Sequence, residues 1–152
     1  MSLLPSERTA GRTLGDLLEQ DEMVLAPGCF DALGARLIEQ AGFPAAYMTG
    51  FGSAASRLGR PDVGLMSMAE MVDNARRIVQ AVDIPVIADA DTGYGNPINV
   101  IRTVREFEAA GVAAIHIEDQ VMPKKCGHME GKEVIAAEEV RPHGGPGGDR
   151  GR

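Results

Sequence analysis

IPVIADADTGYGNP, residues 84–97, carries three structural instructions in one run. Its first half is apolar and partly β-branched, too short for a helix and suited to a strand buried on both faces. The glycines at 93 and 95 mark a turn. Asn96 followed by Pro97 then supplies a helix N-cap and a proline at the first helical position. Strand, tight turn, helix is the first part of a βαβ unit.

The same grammar extends in both directions. Residues 23–27 (MVLAP), 45–49 (AAYMT) and 113–119 (AAIHIED) are further short apolar runs, read with 84–90 as buried parallel strands. Between them lie helical patterns. Asp31 caps a helix from Ala32 to about Ala41. Ser67 and Glu70 form a capping box, S-x-x-E. Behind it Met68, Met71, Val72, Ala75, Ile78, Val79 and Val82 repeat at helical spacing as one apolar stripe. The helix after Pro97 runs to about Ala110, where Gly111 is a stop signal. IEQAGFPAAYMTG (38–50) and FEAAGVAAIHIED (107–119) share one plan of helix end, Ala-Gly, short turn and strand. Such alternation implies right-handed βαβ units. A doubly wound sheet and a (β/α)₈ barrel both fit it.

The chain has 152 residues, enough for one domain with a core. Fifteen basic against 22 acidic residues give a formal net charge of −7, which argues against nucleic acid or an anionic membrane as partner. Two cysteines do not suggest a disulfide framework. No apolar run reaches the roughly 18 residues of a membrane span, and the N-terminus shows no signal-peptide pattern. A cytoplasmic protein is expected.

In parallel α/β folds the carboxyl ends of the strands face the ligand. Here those ends gather Tyr47, Thr49, Asp89, Asp91, Glu118 and Asp119 on one rim. Asp89 and Asp91 are two apart, so a continued strand would point both to one side. Oxygen-only ligands favour a hard cation such as Mg²⁺; the plainer reading is a pair of cap or turn aspartates. TGFGSAASRLG (49–59) lacks the G-K-[ST] ending of a phosphate loop, and no helix opens immediately after it. It reads as a loop offering backbone N–H groups to a carboxylate, or as a flexible connection. PKKCGHMEGK (123–132) sets Cys126 among Lys124, Lys125 and His128. Nearby positive charge lowers a thiol's pKa, so Cys126 can donate or accept a proton; alternatively it is a small residue in a surface loop. CGH alone is too few ligands for zinc. Cys29 reads as a small buried residue ending the first strand. His116 is either a satisfied core histidine or points into a barrel.

Together, YMTGFGSAASRLGRPD (47–62), PVIADADTGYGNP (85–97), AIHIEDQ (114–120) and PKKCGH (123–128) resemble the isocitrate lyase/phosphoenolpyruvate mutase superfamily, over most of residues 20–138. The similarity is greatest to its short-chain lyases, which act on methylisocitrate or dimethylmalate, and to carboxyvinyl-carboxyphosphonate phosphorylmutase-like members. The resemblance implies a (β/α)₈ TIM barrel with Mg²⁺ (or Mn²⁺) at the strand ends. By position, Asp89 would contact the metal most directly, with Asp62, Asp91 and Glu118 holding its waters. Thr49, Gly50 and Phe51 would bind the 2-oxoacid carboxylate, and Tyr47 would sit beside the reacting hydroxyl. Lys124, Cys126, Gly127 and His128 would belong to a mobile gating loop, with Cys126 as its acid/base. The implied reaction is cleavage of a small anionic 2-hydroxy di- or tricarboxylate to a 2-oxoacid and a carboxylate. A phosphonate mutase or hydrolase, or an oxaloacetate decarboxylase, is the alternative inside the superfamily. Full-length relatives are expected to be homo-oligomers.

A complete barrel takes roughly 250 residues, so only about the first half, some four βα units, is expected over residues 1–140. GKEVIAAEEV (131–140) begins a plausible helix. The last 12 residues, RPHGGPGGDRGR, hold five glycines and two prolines, which cannot continue it. They are expected to be a disordered tail arising from a frameshift, a premature stop or a gene-model error. A non-catalytic fragment is the corresponding third reading.

Overall fold

The structure, a computed structural model, describes residues 10–137. The expected tail at 141–152 and residues 138–140 of the expected helix lie outside the described residues.

The elements alternate along the chain: α1 (Ala10–Leu18), β1 (Gly28–Cys29), α2 (Ala32–Gln40), β2 (Ala46–Met48), α3 (Gly50–Leu58), α4 (Met68–Ala81), β3 (Val86–Asp89), α5 (Pro97–Ala110) and β4 (Ala114–His116). The strands form one parallel sheet in the order β1-β2-β3-β4. Each new strand is added on the same side of the last. A doubly wound sheet reverses direction at a switch point; among the described residues there is no reversal.

Register sorts the side chains. Tyr47 pairs with Ile87 and Ile87 with Ala114; Met48 pairs with Ala88 and Ala88 with Ile115. Met48, Val86 and Ala88 are buried on the helix-covered face, where they meet Ala35, Met71, Val72, Ala75, Ile78 and Phe107. Strand alternation puts Tyr47, Ile87, Asp89 and His116 on the other face. That face is less covered: Tyr47 and Ile87 are half-buried and His116 is exposed.

The caps form as expected. Asp31 accepts from the Gly34 N–H at 2.7 Å. Ser67 and Glu70 close a capping box on α4. Asn96 accepts from Ile98 and Asn99 at the start of α5, and Gly111 ends it at φ 90°. No helix among the described residues is long and apolar enough to cross a membrane.

Two expectations are corrected. The first strand is not 23–27 but Gly28–Cys29. The ladder opens where the Tyr47 N–H donates to the Pro27 carbonyl at 2.9 Å. Proline has no N–H to extend it backwards, and Met23 and Leu25 upstream are exposed. Nor does a helix begin at 131. Val121 N–H donates to the Glu133 carbonyl and Ile135 N–H to the Asp119 carbonyl, so this segment is extended against Gln120.

Candidate active site

Four acidic residues and one lysine converge at the carboxyl ends of the strands. Asp89 ends β3, and Asp91 follows in the turn before α5. Asp62 comes from the connection between α3 and α4, and Glu118 from just beyond β4. The Glu118 N–H donates to the Asp91 carbonyl at 2.8 Å, which ties the ends of β3 and β4 together. Asp62, Asp89 and Asp91 are buried. Lys124, only 1% exposed, reaches in from the following loop. Its Nζ lies 2.8 Å from Asp62 Oδ1 and also pairs with Asp91 Oδ1.

The strand-alternation argument for Asp89 and Asp91 does not hold, because the strand stops at Asp89. Asp91 has φ 48°, a left-handed conformation that aspartate tolerates better than most residues. The turn, not the pleat, brings it back. Its own N–H donates to Asp89 Oδ1 at 2.9 Å. Tyr94, in the same turn, is also left-handed at φ 60°. Such conformations cost roughly 1–3 kcal/mol and persist where surroundings over-determine them.

The connection at 49–59 is likewise different from its reading as a loop. It is helix α3, starting at Gly50 and capped by Thr49, whose hydroxyl accepts from the Gly52 N–H at 3.2 Å. The Gly50 N–H donates to Asp89 Oδ2 at 3.1 Å. Only glycine permits this approach, since a Cβ at position 50 would stand 2.5 Å from that oxygen. Gly50 therefore serves Asp89, and among the described residues the Phe51 N–H is the one left open in the first turn of α3.

Burial and crowding set the protonation behaviour. Burial raises the Asp91 carboxyl, opposed by Lys124 and reinforced by Asp89 and Asp62. Burial raises Glu118 too, with the same three aspartates adding and Lys124 opposing. Burial opposes the charge on Lys124, but its bonds to Asp62 and Asp91 outweigh this and hold the ammonium above its ordinary range. Burial, then the Asp89 and Glu118 charges, push Tyr47 up to about 12. Its phenol stays protonated, and the oxygen lies 3.2 Å from His116 Nδ1. His116 is thus neither in the core nor unpartnered.

Four carboxylates around one ammonium leave unbalanced negative charge, and all their donors are oxygens. That chemistry fits a hard cation. Among the described residues no three carboxylate, thiol or imidazole groups are placed to ligate one ion directly.

The loop after Glu118 supplies the thiol. Cys126 is buried, with Sγ 3.6 Å from Nδ1 of the exposed His128. Lys132 Nζ donates to the Gly127 and Met129 carbonyls, and Lys125 Nζ to the Gly131 carbonyl. Sequence reasoning missed Gln120, which is buried and bonded to this loop. A glutamine after Glu-Asp carries no local signal of that role. Asp119 is exposed and its carbonyl pairs with Ile135, so it does not join the cluster.

Residues 14–141 match the phosphoenolpyruvate phosphomutase family model. The chain belongs to that family. Among its relatives, the 2,3-dimethylmalate lyase of Eubacterium barkeri is 61% identical over 125 residues, covering 82% of this chain and 43% of that protein. A solved oxaloacetate acetylhydrolase in complex with 3,3-difluorooxalacetate superposes with a TM-score of 0.84 at 45% identity, over 89% of this chain and 47% of the other. A phosphonopyruvate hydrolase solved with oxalate and Mg²⁺ gives 0.78 at 37% identity, over 88% and 45%. The chain thus spans less than half the length of these family members. Its four-stranded sheet is the corresponding part of their (β/α)₈ barrel.

Proposed function

We propose that this chain carries the cation- and 2-oxoacid-binding part of a Mg²⁺-dependent carbon–carbon lyase. Its substrate is a 2-hydroxy di- or tricarboxylate of the methylisocitrate or dimethylmalate class. The observation that carries this is the meeting of Asp62, Asp89, Asp91 and Glu118 beneath a loop bearing Lys124 and Cys126. The 61% identity to a dimethylmalate lyase, together with the Lys-Lys-Cys-Gly-His loop, supports lyase chemistry over phosphonate chemistry.

Mg²⁺ bound there would act as a Lewis acid, stabilising the alkoxide formed when the substrate's 2-hydroxyl loses its proton, from which the C–C bond would break. Asp89, whose carboxylate accepts from the Gly50 and Asp91 N–H groups, would hold the ion, with Asp62, Asp91 and Glu118 around it. The Phe51 N–H, in the first turn of α3, faces the 2-oxoacid carboxylate with the helix dipole behind it. Tyr47, protonated and joined to His116, donates a hydrogen bond to the reacting oxygen, whose own proton passes to a carboxylate of the acidic cluster. Cys126 protonates the carbanion of the departing carboxylate. Lys124 holds that loop down and offsets part of the acidic charge, and Gly127 and His128 flank the thiol.

The test is 2-oxoacid release from methylisocitrate and 2,3-dimethylmalate. It is run on the chain and on the chain joined to the remaining half of a dimethylmalate lyase. Release that needs Mg²⁺ and falls at least about 100-fold in Cys126→Ser is expected, the contribution of a positioned acid. Undiminished turnover in Cys126→Ser removes the thiol's role. No release from either polypeptide overturns the lyase reading.

A further inference from the structure

Gln120 follows β4 and is 9% exposed. Every polar hydrogen and the oxygen of its amide are engaged. Nε2 donates to Glu118 Oε2 at 2.7 Å and to the Lys125 carbonyl at 2.9 Å. Oε1 accepts from the Lys125 N–H at 3.0 Å. The amide thus grips both backbone groups of the one residue that separates Lys124 from Cys126. It also touches a carboxylate of the acidic cluster. Its backbone is pinned on the other side by the antiparallel bridge to Val134.

We infer that Gln120 is a positioning residue: it fixes the register of the Cys126 loop against Glu118, so that the thiol and the acidic cluster are held as one unit. Only a carboxamide can do this. It must donate twice, to a carboxylate and a carbonyl, and accept once. A carboxylate at this place would face Glu118 and the Lys125 carbonyl with no donor. The inference rests on the lyase reading for its purpose, but the clamp itself is independent of turnover.

Thiol accessibility reads the clamp. Cys126 and Cys29 are both buried, and burial, with Asp31, pushes the Cys29 thiol up to about 11. Cys29 is therefore a slow-labelling reference for global unfolding. Iodoacetamide labelling of each cysteine is followed by peptide mass spectrometry in wild type, Gln120→Met and Gln120→Glu. Gln120→Met keeps length and volume without hydrogen bonds. An increase of about tenfold in Cys126 labelling with Cys29 unchanged is expected in both variants, the population change that losing bonds of this class produces. Unchanged Cys126 labelling in folded variants overturns the inference. If the variants unfold, wild-type hydrogen exchange decides. The Lys125 amide should exchange at least about tenfold more slowly than the Gly127 amide on the same loop; equal rates overturn the clamp. Released labelling with no 2-oxoacid from either the chain or the chain joined to the missing half supports the clamp and overturns the lyase. Active wild type with unmoved labelling does the reverse.

Discussion

A lysine with 1% of its surface exposed needs anionic partners, and Lys124 has them in Asp62 and Asp91. Taking out one member of such a cluster leaves the others unbalanced. Lys124→Met should cost about 3–5 kcal/mol of stability, the usual penalty for stranding buried charge. Added Mg²⁺ should then raise the melting temperature of the variant by more than it raises that of wild type, because the ion replaces the missing positive charge. Thermal melts with and without Mg²⁺ check both statements. An equal shift in the two proteins would show that the ion does not reach these carboxylates. The sequence placed Lys124 correctly in the loop beside Cys126 but said nothing of its burial among acids. Its partners are 62 and 33 positions away in the chain, and no local pattern encodes such a meeting. Asp91 shows the opposite case. Its proximity to Asp89 was legible, but the reason given was wrong, since a left-handed turn and not strand alternation aims it.

Capping chemistry made most elements readable. Asp31, Ser67 and Asn96 cap α2, α4 and α5 where their side chains suggested, and Gly111 stops α5. These signals act within four residues, so a single sequence displays them. Helix α3 escaped notice because its sequence begins with two glycines in three residues, which intrinsic propensity counts against a helix. The glycines answer a tertiary demand. Gly50 lets the helix start press on Asp89, and a Cβ at Gly52 would meet Thr49 Cγ2 at 2.6 Å. Gly50→Ala should therefore destabilise the fold by about 1–3 kcal/mol through overpacking. It should also weaken Mg²⁺ binding about tenfold or more by displacing the carboxylate that its N–H orients. Denaturant midpoints and calorimetric titration measure the two effects. Full stability and full affinity in Gly50→Ala would mean that α3 does not position Asp89.

Across the whole molecule, sequence pattern settled the class but not the winding. Short buried strands alternating with capped helices suit a doubly wound sheet and a barrel equally. Strand order separates them, and it depends on pairings such as Ile87 with Ala114 that are remote in sequence. Once the order is β1-β2-β3-β4, the carboxyl ends of the last two strands lie together, and Asp89 and Glu118 come from neighbouring strand ends. The acidic cluster is thus a consequence of topology. Its proposed role is tested most directly by calorimetric titration of Mg²⁺ into the wild-type chain and into Asp89→Asn, at constant ionic strength. Saturation at one ion per chain in wild type, with affinity at least about tenfold weaker in Asp89→Asn, is the expected result; no saturable uptake, or equal affinity in the two, would contradict the account.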